Sequence, residues 1–249
     1  MTVLGFTLAG VVGLLLGVLG GGGSILLVPM LVYALGVPPK EAVVISLPIV
    51  GLTSLAGATT HWLAGTVQVR SALAFGLVAM AGAFAGARLS VLLPAAAQLA
   101  ILAVVMLAAG LSMLAAKSPD APAAGASAGQ RAWLGVVAAL AIGALTGLVG
   151  IGGGFLFVPA LVLFAKVPMH AAVGTSLVVI AMNAAAGVAG YVGTIAVPWP
   201  FVLAFAATAS VGAVAGARLA HKLPARTLRR AFAILLLMTA GFVLVDVLS

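Results

Sequence analysis

The chain has 249 residues, 65% of them hydrophobic and 6% charged, with 11 Lys and Arg against 3 Asp and Glu. A soluble domain carries about a quarter charged residues to wet its surface, so a soluble globular enzyme and a disordered chain are both excluded, and the long uncharged stretches place this one in a bilayer. The net charge of +8 does not mark a nucleic-acid binder, because the basic residues are scattered between apolar spans; the lack of cysteine removes disulfides, thiolate catalysis and Cys-ligated metals.

The first apolar segment, 3–36, starts without the positive region of a cleaved signal and outruns its usual length, so it reads as a retained span. As one helix it would be about 50 Å long, against a hydrocarbon core of about 30 Å. Its middle holds Gly20, Gly21, Gly22 and Gly23 before Ser24, and each glycine costs a helix about 1 kcal/mol relative to Ala. A broken helix, or a hairpin or re-entrant pair, is expected in place of a straight rod. In lipid a break must have its freed backbone groups met by protein or cavity water. The amides and dipole of the half-helix that Ser24 opens would face an anion at the membrane midplane. No Gly-Lys-Ser/Thr follows, so the cluster is not a phosphate-binding P-loop.

Segment 42–63 carries Ser46, Thr53, Ser54, Thr59, Thr60 and His61. Positions 46, 53 and 57 are seven and then four apart, near one helical face, which points to a polar cavity or to bonding between helices. His61 is a candidate proton or substrate contact, although Trp62 beside it also suits an interfacial position. Segment 71–91 holds the small-residue pair Gly82/Gly86 and ends on Arg88; segment 95–115 follows. Lys117 to Arg131, rich in Pro, Gly, Ser and Ala, reads as an extramembrane linker. The Gly125-Ala-Ser-Ala-Gly129 within it matches a nucleophile-elbow pattern without the strand-to-helix setting that pattern needs.

The second half repeats the first. Gly17-Val-Leu-Gly-Gly-Gly-Gly-Ser-Ile-Leu-Leu-Val-Pro29 returns as Gly147-Leu-Val-Gly-Ile-Gly-Gly-Gly-Phe-Leu-Phe-Val-Pro159, and Gly82-Ala-Phe-Ala-Gly-Ala-Arg-Leu89 as Gly212-Ala-Val-Ala-Gly-Ala-Arg-Leu219. Segments 132–165, 171–194, 200–220 and 227–248 therefore match the first four. Gly152, Gly153 and Gly154 form the second break, and Ser176 and Asn183 match Ser46 and Thr53. The pairs Gly13/Gly17, Gly143/Gly147, Gly82/Gly86 and Gly212/Gly216 read as packing devices that let helices approach closely. Arg88 and Arg218 read as snorkelling anchors.

The expected fold is an all-α polytopic membrane protein with about eight transmembrane helices in two homologous repeats, residues 1–116 and 132–249, joined by the linker 117–131. The first helix of each repeat is broken at its glycines. Four crossings per repeat give parallel repeats and five give inverted ones. With eight simple spans, Lys40, Arg88, Lys166, Arg218, Lys222, Arg226, Arg229 and Arg230 share one side and Arg70, Lys117 and Arg131 the other; the first side is then cytoplasmic and both termini face out.

The two glycine-rich turns each followed by Val-Pro, the duplication and the Gly-Ala-Arg-Leu repeats together resemble the sulfite exporter TauE/SafE family, also called the toluene sulfonate uptake permease family. The resemblance covers nearly the whole chain outside the linker, with Gly20–Ser24 and Gly150–Gly154 at the family's motif positions. It implies a multi-pass transporter of the bacterial inner membrane, moving small sulfur-containing anions such as sulfite, sulfonates or sulfoacetate.

The residues themselves lead to a secondary transporter with one anion site between the repeats. The breaks at Gly20–Gly23 and Gly152–Gly154 would bind it with backbone N–H groups, helped by Ser24, Ser46, Thr53, Ser176 and Asn183. No carboxylate falls mid-span, which removes the familiar cation and proton-relay designs. The expected partners are the small anion and the lipid bilayer, with homo-oligomerisation left open; no cofactor, metal or nucleic acid is expected. A membrane-embedded enzyme would need a nucleophile and base within reach of each other, and a non-transporting scaffold would show no stabilisation by anions.

Overall fold

A computed structural model describes residues 3–115, 128–149, 154–163, 165, 167–193 and 197–248. Its first half holds α1 (Val3–Leu19), α2 (Ser24–Pro29), a π-helical turn Met30–Ala34, α3 (Pro39–Leu63), α4 (Val69–Ser90) and α5 (Ala95–Ala115). The second half holds α6 (Ala128–Val149), α7 (Gly154–Leu163), α8 (Met169–Tyr191), α9 (Trp199–Ala220) and α10 (Ala225–Leu248), in the same order. No strand occurs among the described residues. The expected linker 117–131 lies outside them up to residue 127; its last four residues open α6.

Local chemistry sets the boundaries. Pro38 and Pro168 precede α3 and α8 with extended ψ of 138° and 145°, because proline fixes φ and cannot sit in a helix interior without losing a bond. Past the C-termini of those helices, Gly65 and Gly193 take φ of 69° and 83°, a left-handed turn that glycine adopts without a Cβ clash.

The first apolar segment resolves into a hairpin. Gly20 and Gly21 have φ of 61° and 117°, which turns the chain back along α1. A Cβ built on Gly23 would strike the backbone of Val12 and Leu16, and one on Gly5 would lie 3.5 Å from the Leu35 side chain. Both strands of the hairpin thus begin and end at the same end of the molecule.

Corresponding helices of the two halves run antiparallel. Along α3 and α8, Leu47 meets Gly187, Gly51 meets Ala184, Gly57 meets Leu177 and His61 meets Gly174. The sequence number rises on one helix as it falls on the other. These two helices are the most deeply buried of the long apolar ones. Around them the halves interlock: α1 packs along α9, and α6 along α4. The glycine pairs make this possible. A Cβ on Gly13 or Gly17 would enter the backbone of Ala209 or Ala213, and one on Gly143 or Gly147 that of Ala79 or Ala83. Gly82, Gly86, Gly212 and Gly216 face the partner backbones in return, so the packing role read for these glycines holds.

Among the described residues, five helices, α3, α4, α8, α9 and residues 226–245 of α10, are long and apolar enough to cross a bilayer. Large apolar side chains such as Leu77, Val211, Met238 and Val245 cover the outside, as a chain solvated by lipid requires. The molecule is a multi-pass membrane protein.

One end of the bundle gathers the end of α3, the start of α8 and the end of α9: the His61 and His221 rings meet at a tilt with centroids 4.8 Å apart, and His170 Nε2 lies 3.0 Å from Leu223 O. We call this the His61 end. At the opposite, Tyr191 end, the Tyr191 hydroxyl donates to Gly147 O at 2.9 Å, and Gln98 Nε2 donates to Ser90 O at 2.7 Å. The hairpin adds one reversal to the first half and so regroups the charges. Arg70, Arg218, Lys222, Arg226 and Arg230 stand at the His61 end, while Lys40 and Arg88 stand at the other. Lys40 and Arg88 therefore do not share a side with Lys222, as the eight-span sorting had them.

Candidate functional site

The expected site residues fall into two clusters at different depths. The first lies at the glycine break. Gly20 packs so closely on α8 that a Cβ there would stand 2.6 Å from Val173 Cα and 2.9 Å from Ser176 Oγ. The Ser176 hydroxyl lies 2.6 Å from Gly20 O and 2.8 Å from Val173 O. Ser24 donates to Gly21 O at 2.6 Å. The amides of Gly20, Gly21, Ser24, Ile25 and Leu26 are used by backbone carbonyls; those of Gly22 and Gly23 meet no acceptor among the described residues. Of the second break, Gly152 and Gly153 lie outside the described residues, and Gly154 opens α7.

The second cluster lies at the middle of α3 and α8. Thr53 Oγ1, Ser54 Oγ and both amide atoms of Asn183 are buried with no hydrogen-bond partner. These are the levels at which Gly51 meets Ala184. An unpaired buried amide or hydroxyl costs about 1–3 kcal/mol, and nearly all such groups in proteins are satisfied. Ser46, on the same helix, donates to Val43 O at 2.8 Å, the local bond a serine makes in an apolar helix. Asn183 sits seven residues beyond Ser176, about 10 Å along α8. The first break and the Thr53–Asn183 level thus share a helix face and are separated in depth; the break lies toward the His61 end.

His61 is buried on the inner side of its end, and Trp62 beside it is exposed. Its ring approaches Gly17 O at 3.5 Å through Nε2 and Thr66 Oγ1 at 3.3 Å through Nδ1. Arg88 is exposed over the Phe84 ring at 5.5 Å, and Arg218 is exposed at the other end, in keeping with anchors at the bilayer edge.

Three contributions escaped the sequence. Ser54 was grouped with its neighbours, yet it joins Thr53 and Asn183 as an unpaired buried group. His221 reaches His61 from a loop 160 residues later, and Gln68 donates its amide to Thr175 Oγ1 at 3.0 Å. No spacing within a segment signals the last two, because each joins separate halves.

A lateral groove of about 400 Å³ between α1, α2 and α10 is lined by apolar residues including Leu8, Pro29, Tyr33, Met238 and Phe242. Apart from the Tyr33 and Thr239 hydroxyls its lining is apolar, so it presents an anion with few donors. Among the described residues, no group of three His, Cys, Asp or Glu side chains is placed to hold a metal ion.

Two interlocked halves, a first glycine break facing α8 and buried neutral polar groups on antiparallel central helices describe a transporter interior. The family model for sulfite exporter TauE/SafE proteins matches residues 5–243. The chain belongs to the sulfite exporter TauE/SafE family. It is 34% identical over 239 residues to a probable membrane transporter protein of Xylella fastidiosa (strain Temecula1), covering 94% of this chain and 92% of that one. It is 28% identical over 225 residues to the probable membrane transporter protein YdhB of Bacillus subtilis, covering 88% and 90%. No solved structure matches the chain. The TauE/SafE family is one of membrane transporters, and the relatives carry transporter names and not enzyme names.

Proposed function

We propose that the protein is a secondary transporter of small sulfur-containing anions, of the sulfite, sulfonate or sulfoacetate type, in the bacterial inner membrane. The observation that carries this reading is the set of unpaired polar atoms on Thr53, Ser54 and Asn183, buried where lipid-embedded helices normally satisfy every polar group. A site that has no buried charge and holds both hydroxyl and amide donors suits an oxyanion, whose oxygens accept several hydrogen bonds at once. The amides of Gly22 and Gly23, which meet no acceptor among the described residues, with Ser24, Ser46 and Ser176 and the breaks at Gly20–Gly23 and Gly152–Gly154, would receive the anion on its way in or out.

Alternating access between the repeats must respect their interlock. Backbone-close packing fuses α1 to α9 and α4 to α6, so the bodies that rock each mix both halves, and α3 against α8 is the surface on which they move. The basic His61 end faces the cytoplasm by the positive-inside rule, and both termini face out.

The test is transport by purified protein in liposomes, with thermal shifts in detergent, against sulfite, sulfate, thiosulfate, taurine and acetate. Uptake of a sulfur oxyanion that is lost in Asn183→Leu and Thr53→Val supports the reading. No response to any anion, or equal transport by these variants, removes it.

A further inference from the structure

His61 and Tyr191 hold the same place in the two halves. Each is a buried ring at the end of a central helix, and each meets the carbonyl of a glycine 44 residues earlier, Gly17 or Gly147. At the first break, the Gly21 amide turns to Leu16 O, which leaves Gly17 O without its helical donor. The same latch is therefore built twice with different chemistry. A phenol keeps its proton near neutral pH, with an ordinary pKa of about 10, whereas imidazole changes charge near 6.5.

The polar contacts of His61 depend on how many protons its ring carries. Thr66 Oγ1 gives its single proton to His61 O at 3.1 Å, and His61 Nδ1 lies 3.3 Å from that same oxygen. With its proton used, Thr66 Oγ1 can only accept from Nδ1. Gly17 O can only accept from Nε2. Both contacts are satisfied together only when both ring nitrogens carry protons. A neutral ring must release Gly17, or Thr66 must turn its proton to Nδ1 and release the end of α3. The groups facing His61 are His221, tilted against it at 4.8 Å from the end of α9, and His170 at the start of α8. The α1 contact is the Gly17 backbone. Arg70, Arg218 and Lys222 are exposed at this end, and no carboxylate stands there among the described residues. His221 is exposed, so water reaches the edge of this cluster.

We propose that His61 is a proton-binding site whose occupancy locks the His61 end of the transport path. The Tyr191 end carries the same latch without the switch. Proton uptake and release here are acid–base steps alone: the proton comes from water and returns to it. The effect on flux rests on the transporter reading above; the proton site does not.

The proton site is tested without substrate. In lipid nanodiscs, nitrogen NMR of the three histidines, assigned with His61→Gln, should show the His61 ring gaining a second N–H between about pH 8 and 4. Val173→Cys, behind Gly20, should label with a maleimide more slowly at acid pH, after correction by an exposed Leu63→Cys control, and this slowing should vanish in His61→Gln and His61→Tyr backgrounds. Sulfite flux in liposomes should fall toward about tenfold per pH unit below the ring's midpoint when acid is added at the His61 face only. A ring of constant protonation over this range, or an acid response that survives in both His61 variants, overturns the proposal. Failure of sulfite to move would count against the transporter reading and leave the NMR and labelling results to decide the proton site.

Discussion

Ser176 and Gly20 are separated by 156 residues, yet the serine hydroxyl donates to the glycine carbonyl at 2.6 Å. This bond ties the glycine break of one half to the central helix of the other. It also puts the break under the control of α8, since any rotation of that helix must strain or release Gly20.

Removing the bond should therefore loosen the break more than it unfolds the protein. Ser176→Ala is expected to cost about 1 kcal/mol, the usual worth of an interhelical bond in a membrane protein, and to lower the melting midpoint by about 2–4 °C. Proteolysis or thiol labelling near residue 22 should accelerate by a larger factor than the midpoint implies. Equal effects on both would place the bond among ordinary packing contacts.

Asn183 carries a cost that the proposed anion site would offset. Asn183→Leu removes two unpaired buried polar atoms and should stabilise the unliganded protein by about 1–3 kcal/mol. The same variant should lose stabilisation by sulfite or sulfonates. A variant that is both less stable and still responsive to anions would mean that Asn183 is satisfied in the membrane.

The glycine pairs separate packing from conformational cost. Gly13→Val thrusts into the Ala209 backbone and should cost more than about 3 kcal/mol, beyond the usual overpacking penalty, so little folded protein is expected. Gly10 has nothing within 4 Å of a built Cβ, and Gly10→Ala should be neutral or stabilising by up to about 1 kcal/mol. Comparing the folded yields and melting midpoints of the two variants checks this.

Because the chain has no cysteine, single-cysteine topology can be read without background. Lys40→Cys should react with a membrane-impermeant maleimide in intact cells, and Lys222→Cys only after permeabilisation. Labelling of both from the same side would restore the eight-span arrangement.

Much of the site was legible because duplication marks it. The breaks, the small-residue pairs and the correspondence of Ser46 with Ser176 and Thr53 with Asn183 are all patterns within or between segments. What the pattern could not tell was which hydroxyls are already used. Ser46 and Ser176 bond to backbone carbonyls, whereas Thr53 and Ser54 bond to none, although all four look alike as serines and threonines in apolar helices. That difference depends on whether a carbonyl lies within reach.

Composition determined the solvent: with so few charges, the only medium that can surround this surface is lipid. Local sequence determined where helices start and stop, because proline and glycine act on the backbone at their own positions. The depth of the first break, the antiparallel run of α3 against α8, the meeting of His61 with His221 and the division of basic residues between the two ends were decided only by the tertiary structure. Each follows from which way the chain turns at Gly20 and Gly21. Glycine permits either a kink or a full reversal there, and only the packing of Gly23 against α1 and of Gly20 against α8 selects the reversal.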